Sequence, residues 1–450
     1  MNKSTLALAV AMGVLAQQAS AAGFIDDSKA SVSSRTLYFD GDNRQGGNDQ
    51  RQTVTGLKFD FLSGYTQGVV GFGLDLQGMV GVNLTGGIDH QGPGTANTVS
   101  PVDSDGTPVH NWSRIGANGK IKFSKTEIKA GNALAPNLPI LVANDGRLLP
   151  ASYQGAILTS KELDTVTFTA GYLNREIGRA SSNWAAIGAG GSRGSDGFSF
   201  GGADWKVTKD LTLQYYYAKL DDYYTQNFLG ATHVFQIAPD QSFKTDLRYF
   251  NSNSDGANGN DSRFAYRNGY NSGGRGEVDN NTWAAAFTYT LGGHSLTLGH
   301  QRVSDDGGMV AVNNGNIVDG RGRPEGEGGN SYYLMTDIMA NSFTRAGENS
   351  TFGIYSYDFA KLGVPGLKAT WTYVSGRDAR GLGGAGANQS RARYDEWESD
   401  YRLDYTLQSG PLKGLGFSAR HATYRTELPA ATQQNVDQTR FYVNYTYAFW

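Results

Sequence analysis

Apolar and polar residues alternate with a period of two along nearly the whole chain. The clear runs are 31–39, 53–62, 69–84, 112–123, 125–131, 153–163, 165–173, 198–207 and 211–220. They continue with 228–237, 243–250, 282–291, 296–303, 351–359, 367–374, 396–407, 415–423 and 439–450. Successive side chains of a strand point to opposite faces, so the pattern predicts half-buried β-strands. There are about eighteen, an even number in the range of single-chain membrane barrels. Several approach the roughly 9–11 residues that a tilted strand needs to cross a bilayer.

The connections alternate as well. "TKD" (208–210), "APD" (238–240) and "LGGHS" (291–295) are tight, whereas 85–110, 175–196, 252–277, 304–349 and 376–394 are long and rich in Gly, Asn and Asp. Short turns at one end and long loops at the other are the outer-membrane arrangement. In the terminal run Phe441, Val443, Tyr445, Tyr447 and Phe449 share one face, and Arg440, Tyr442, Asn444, Thr446 and Ala448 the other. In 396–407 the split is Trp397, Tyr401, Leu403, Tyr405 and Leu407 against Glu396, Glu398, Asp400, Arg402, Asp404 and Thr406. A soluble sandwich would alternate too, with its charges outward. The strand count, the length and the aromatic terminus favour lipid outside and water inside. The last strand is expected to close on 31–39, leaving no free edge.

The N-terminus sharpens this picture. "MNKSTLALAVAMGVLAQQASAA" carries Lys3, an apolar stretch and a small-residue ending, which reads as a cleaved signal peptide over 1–22. No later segment offers the roughly 20 consecutive apolar residues of a membrane helix. An exported chain that enters a membrane must then do so as a closed barrel, which satisfies every backbone group. Residues 23–450 read as one barrel domain. Glycine is abundant (61 of 450) without a three-residue period, and there are 25 Tyr and no Cys. Zero Cys excludes disulfides, zinc-thiolate sites and thiol nucleophiles. A formal net charge of −3 gives no support for nucleic-acid binding.

Longer stretches carry a resemblance. "SGYTQGVVGFGLDLQGMVGVNLTGG" (63–87), "PNLPILVANDGRLLPASYQGAILTSKEL" (136–163), "YYYAKLDDYYTQNFLGATH" (215–233) and "EWESDYRLDYTLQSGPLKGLG" (396–416) resemble the OprD family of outer-membrane porins. "GEVDNNTWAAAFTYTLGGHSLTLGHQ" (276–301) and "YSYDFAKLGVPGLKATWTYVSG" (355–376) do too, and the likeness runs from about residue 23 to 450. The resemblance implies an eighteen-stranded pore enclosed by one chain. It also implies passive, selective passage of small anionic or zwitterionic carboxylates: amino acids, small peptides, aromatic or cyclic acids. An infolded loop would narrow the pore, and a column of Arg and Lys would lead to that eyelet. Outer-membrane lipid would be the surrounding partner; monomer or homotrimer stays open, and no cofactor or metal is expected.

Strand parity puts Arg35, Arg114, Lys120, Lys122, Lys244, Arg248, Lys368, Arg402, Arg420 and Arg440 on the lumen side. Arg402, Arg420 and Arg440 lie on three consecutive strands and suggest one column. A guanidinium pairs with a carboxylate through two hydrogen bonds, and moderate sites in series hold an anion without trapping it. The plainer alternative is that these cations balance lumen carboxylates such as Asp246, Asp400 and Asp404. Arg425 has the opposite parity and belongs to a loop edge. "APNLPILVANDGRLLP" (135–150) matches the family's constriction loop, and its leucine pairs need the inner wall to pack on. Arg147 and Asp145 are then eyelet candidates. Asp305 and Asp306 are candidates for the acidic side facing the ladder, since opposed charges orient zwitterions.

Other chemistry is thin. "GGSRG" (190–194) matches a nucleophile elbow but lacks strand–turn–helix context. The six histidines show no metal spacing. Asp221–Asp222 read as turn residues, and "DSDG" (103–106) lacks the downstream glutamate of a calcium loop. The alternatives to a selective porin are a general diffusion porin, an outer-membrane hydrolase or a loop-borne receptor role.

Overall fold

The computed structural model describes residues 23–89, 97–266, 270–322, 324–329, 331–381 and 392–450. The expected signal peptide, 1–22, lies outside the described residues. The wall consists of β1 (Lys29–Asn43), β2 (Gln50–Leu62), β3 (Val70–Ile88), β4 (Asn111–Phe123), β5 (Thr126–Leu134), β6 (Ser152–Leu163), β7 (Val166–Ile177), β8 (Phe198–Lys206) and β9 (Leu211–Leu220). It continues through β10 (Tyr224–Ala238), β11 (Gln241–Ser254), β12 (Asp279–Leu291), β13 (His294–Val303), β14 (Asn349–Asp358), β15 (Leu367–Arg380), β16 (Arg393–Thr406), β17 (Gly416–Thr426) and β18 (Val436–Ala448). Each pairs antiparallel with its sequence neighbour. β18 returns to β1 in the register Ser31↔Ala448 through Asn43↔Val436. Every alternating run is a wall strand, and the sheet has no open edge.

Parity decides the two surfaces. On β18 Phe441 is 49% exposed while its neighbours Arg440 and Tyr442 are 4% and 5% exposed. Leu403, Tyr401, Phe417 and Trp371 share the exposed outer face. Eight short turns and both termini gather at one end. Trp450 Nε1 donates to Ser28 Oγ at 2.9 Å there, tying the two ends of the wall together.

The inner side is filled unevenly. Against β6–β11 the lumen holds a dry cluster of Tyr216, Tyr224, Phe228 and Phe250 with Val310, Val312 and Leu334 from the 304–348 loop. A second cluster joins Leu37, Val54, Met79 and Trp112 of β1–β4. The 135–151 segment touches both: Ile140 and Leu141 enter the first, Leu148 and Leu149 the second. Its two apolar pairs are thus buried in two separate clusters of the inner wall. The wall lets it go inward because the β4–β5 ladder stops at Asn118↔Gly131 and the β5–β6 register shifts between Gly131 and Leu134. Asn118 and Asn132 side chains take over the freed backbone groups, with Asn132 Oδ1 accepting from Ala117 N at 2.8 Å.

Candidate pore and constriction

Arg402, Arg420 and Arg440 are direct cross-strand partners, Arg402↔Arg420 and Arg420↔Arg440, and Arg440 continues to Phe39. All point inward. Arg440 lies four residues from Val436, the loop-side end of β18; Arg420 lies six from Thr426, and Arg402 nine from Arg393. Strands of such barrels tilt by roughly 35–45°. The three guanidiniums therefore descend like steps from the loop end towards the turn end.

Their partners differ from step to step. Arg402 Nε pairs with Asp404 at 2.6 Å yet stays 47% exposed. Arg420 donates to Ser418 Oγ at 3.0 Å and lies 4.7 Å from the Tyr442 ring centroid. Arg440 donates from Nε to Gln438 Oε1 at 2.9 Å and from Nη2 to the Met339 carbonyl at 2.8 Å. Met339 belongs to the 304–348 loop, which β16 tethers: Glu398 accepts from Ala340 N and Asn341 N at 2.9 and 2.8 Å. Glu396 accepts from Asn341 Nδ2 at 2.6 Å and Tyr424 Oη at 2.5 Å. The inward acids of β16 thus position a loop over the upper step.

The 135–151 segment supplies the facing rim. Arg35 grips it, pairing with Asp145 at 2.7 Å and donating to the Arg147 carbonyl at 2.7 Å. Arg147 is 6% exposed, lies 4.8 Å from the Phe39 ring centroid, and its Nε meets no acceptor. Burial, and then the charges of Arg440 and Arg179, lower its pKa well below the usual arginine value. A cavity of about 510 Å³ opens on the loop side of this rim, lined by Arg147, Arg179, Arg440 and Asp337 among others. A second of about 220 Å³ lies beneath it, lined by Arg35, Asp145, Leu148 and Asn444.

The remaining candidates have other duties. Arg114 is no step of the ladder: Nε donates to Ser181 O, Nη1 to Pro150 O and Nη2 to Gly178 O and Arg179 O, all at 2.7–2.9 Å. It clamps the 135–151 segment to the 178–197 loop. Arg248 is bidentate to Asp246 at 2.9 and 3.1 Å and stacks 4.0 Å from the Tyr333 ring centroid. Lys244 also pairs with Asp246, and Lys120 with Asp75, so charge balance describes these three. Lys122 lies over the Tyr65 ring, and Lys368 stands opposite Asp404 in the β15–β16 register. Arg425 pairs with Asp437 on the outer face at the loop end.

Asp305 and Asp306 are not brought to the ladder. Asp305 sits on the loop-side rim with Arg380 at 3.1 Å and Arg393 at 2.8 Å. The backbone of Asp306 accepts from Ser272 N. The acid that lines the cavity is Asp337, 32 residues beyond Asp305 in a loop with no periodicity to place it. Arg179 is equally hard to read from the sequence, since it lies two residues beyond the end of β7 in a long loop. The rings of His294, His300 and His421 bond Tyr355, Thr351 and Thr439 hydroxyls, and no Ser–His hydrogen bond occurs among the described residues.

Comparison with known proteins agrees with this architecture. The family model described as "outer membrane porin, OprD family" matches residues 22–449. Porin D of Pseudomonas aeruginosa is 31% identical, over 98% of this chain and 97% of that one. The crystal structure of Pseudomonas aeruginosa OccK8 (OprE) superposes with a TM-score of 0.80 at 37% identity, covering 95% of this chain and 100% of that one. The crystal structure of Pseudomonas aeruginosa OpdK with vanillate gives a TM-score of 0.79 at 31% identity, again covering 95% and 100%.

Proposed function

Because this chain belongs to the OprD family of outer-membrane porins, we propose that it passes small carboxylate-bearing solutes by passive diffusion along a basic-lined pore. It resides in the outer membrane of a Gram-negative bacterium, with lipid against its aromatic face. Residues 1–22 would direct export and be removed. The observation that carries the substrate class is the register-matched row Arg402–Arg420–Arg440. Like charges directly opposite one another weaken a ladder, so their apposition calls for an anion between or before them. Arg35 and Arg147 extend the basic wall on either side of the constriction. A relative solved with vanillate, itself a carboxylate, fits the same class.

Liposome swelling tests this. The mature chain is refolded into vesicles, and entry of benzoate, glutamate and gluconate is compared with that of uncharged solutes of matching size. The carboxylates should enter several-fold faster. Equal rates for charged and uncharged solutes would favour a general diffusion pore.

A further inference from the structure

The chamber above the constriction narrows the substrate class, on the premise that the pore carries carboxylates as proposed. Three guanidiniums, Arg147, Arg179 and Arg440, line it from three separate elements. The Nε atoms of Arg147 and Arg179 meet no acceptor. One counter-charge, Glu327, lies outside the lining but close enough to interact with Arg179, Arg147 and Arg114, and it accepts from Ala180 N at 3.2 Å. The chamber is thus built to receive negative charge.

Three further features decide what accompanies that charge. The only aromatic ring among the described lining residues is Phe39, and two guanidiniums cover it, with Arg147 and Arg440 at 4.8 and 5.7 Å from its centroid. The apolar lining side chains Ile88, Ile338, Met339 and Val436 offer no flat π face. Asp337 is the sole carboxylate of the described lining, and it is already engaged by Tyr332 N at 2.8 Å and Ser342 Oγ at 2.7 Å. An incoming ammonium meets three guanidiniums and a single acid that already accepts one hydrogen bond on each oxygen. Amides and hydroxyls instead occupy much of the wall: Asn43, Asn48, Asn341, Gln438, Thr98 and Ser331.

Polar groups stripped of water need replacement hydrogen bonds, and a solute that lacks them leaves the wall unpaired. We infer that this chamber selects small hydrophilic carboxylates bearing several hydroxyl groups, the chemistry of aldonates and uronates, over aromatic acids and over basic amino acids. The carboxylate engages the guanidinium cluster, and the hydroxyls exchange water for the amide wall.

Single-channel recording in a planar bilayer tests it with gluconate, benzoate, arginine and glucose as probes. Gluconate should produce transient blockades at concentrations at least tenfold lower than benzoate, with arginine and glucose weaker still. Arg179→Gln, checked for a heat-modifiable folded barrel, should weaken gluconate blockade roughly tenfold. Should that variant not fold, the ranking of solutes on the unaltered chain decides alone. Benzoate or arginine matching gluconate overturns this inference and leaves carboxylate passage standing if either carboxylate still exceeds glucose. Gluconate and benzoate both indistinguishable from glucose overturn the inference and the carboxylate reading together.

Discussion

Arg420 and Arg440 stand directly opposite each other across the β17–β18 ladder, both facing the lumen. Nothing in the wall requires two like charges there. Their mutual repulsion is relieved by Ser418 and Gln438 at their sides and by the Met339 carbonyl above. On the proposed reading, the pair meets a passing anion.

Steering by such a row should fade with salt. The Debye length falls from about 10 Å at 0.1 M to about 3 Å at 1 M. The association rate of a carboxylate with the open channel, read from blockade frequency, is expected to drop about tenfold or more over that range. A rate insensitive to salt would mean that the guanidiniums act only at contact or not at all.

Arg114 holds two loops with one side chain. Arg114→Met leaves four backbone carbonyls without their donor, at a cost on the order of 3 kcal/mol. The barrel ladders are untouched, so the variant should still fold, but the 135–151 segment loses its tie to Gly178 and Ser181. Conductance should rise and become noisier, with a weaker preference for carboxylates over uncharged solutes. A quiet channel of normal conductance would show that the buried apolar pairs alone fix the segment.

The loop tether on β16 should behave similarly by a different route. Glu398 receives two backbone N–H groups of the 304–348 loop. Glu398→Ala frees that stretch, and with it the carbonyl that caps Arg440. More frequent open–closed transitions are expected, while thermal unfolding of the barrel shifts little. Unchanged gating would place the anchor elsewhere in the loop.

Asp337 in the chamber and Glu327 outside its lining set a pH dependence with a definite sign. Burial pushes the carboxyls of both Asp337 and Glu327 above the usual range. They therefore take up protons at higher pH than exposed carboxylates. Acidification from pH 7 towards 5 removes negative charge from these acids, so the ratio of chloride to potassium permeability should rise. Asp337→Asn should raise that ratio at pH 7 and flatten its pH dependence. A ratio that falls on acidification contradicts the assignment.

The wall is legible in the sequence because a period of two survives wherever one face meets lipid and the other water. Each alternating run is a strand, and parity alone puts Arg402, Arg420 and Arg440 on one side. Parity names a face but not a partner. It does not separate Arg440, which lines a cavity, from Arg248, which Asp246 neutralises, or from Arg114, which backbone carbonyls consume. Loops carry no period at all. Arg147 stands out because its segment resembles a known constriction, whereas Asp305 and Asp306 carry the right charge for a place that Asp337 occupies. Arg179 gives no signal, since its position depends on how two loops pack inside the lumen.

The most direct measurement compares the unaltered chain with the Arg402→Ala/Arg420→Ala/Arg440→Ala variant in single-channel recordings at 0.1 M KCl. Blockade frequency is read as carboxylate is added. Electrostatic focusing is worth roughly 10–10³-fold in association rate. The variant, still heat-modifiable and still conducting, should lose at least tenfold in blockade frequency while an uncharged solute passes as before. The same frequency in both channels would contradict the guanidinium row as the path for carboxylates.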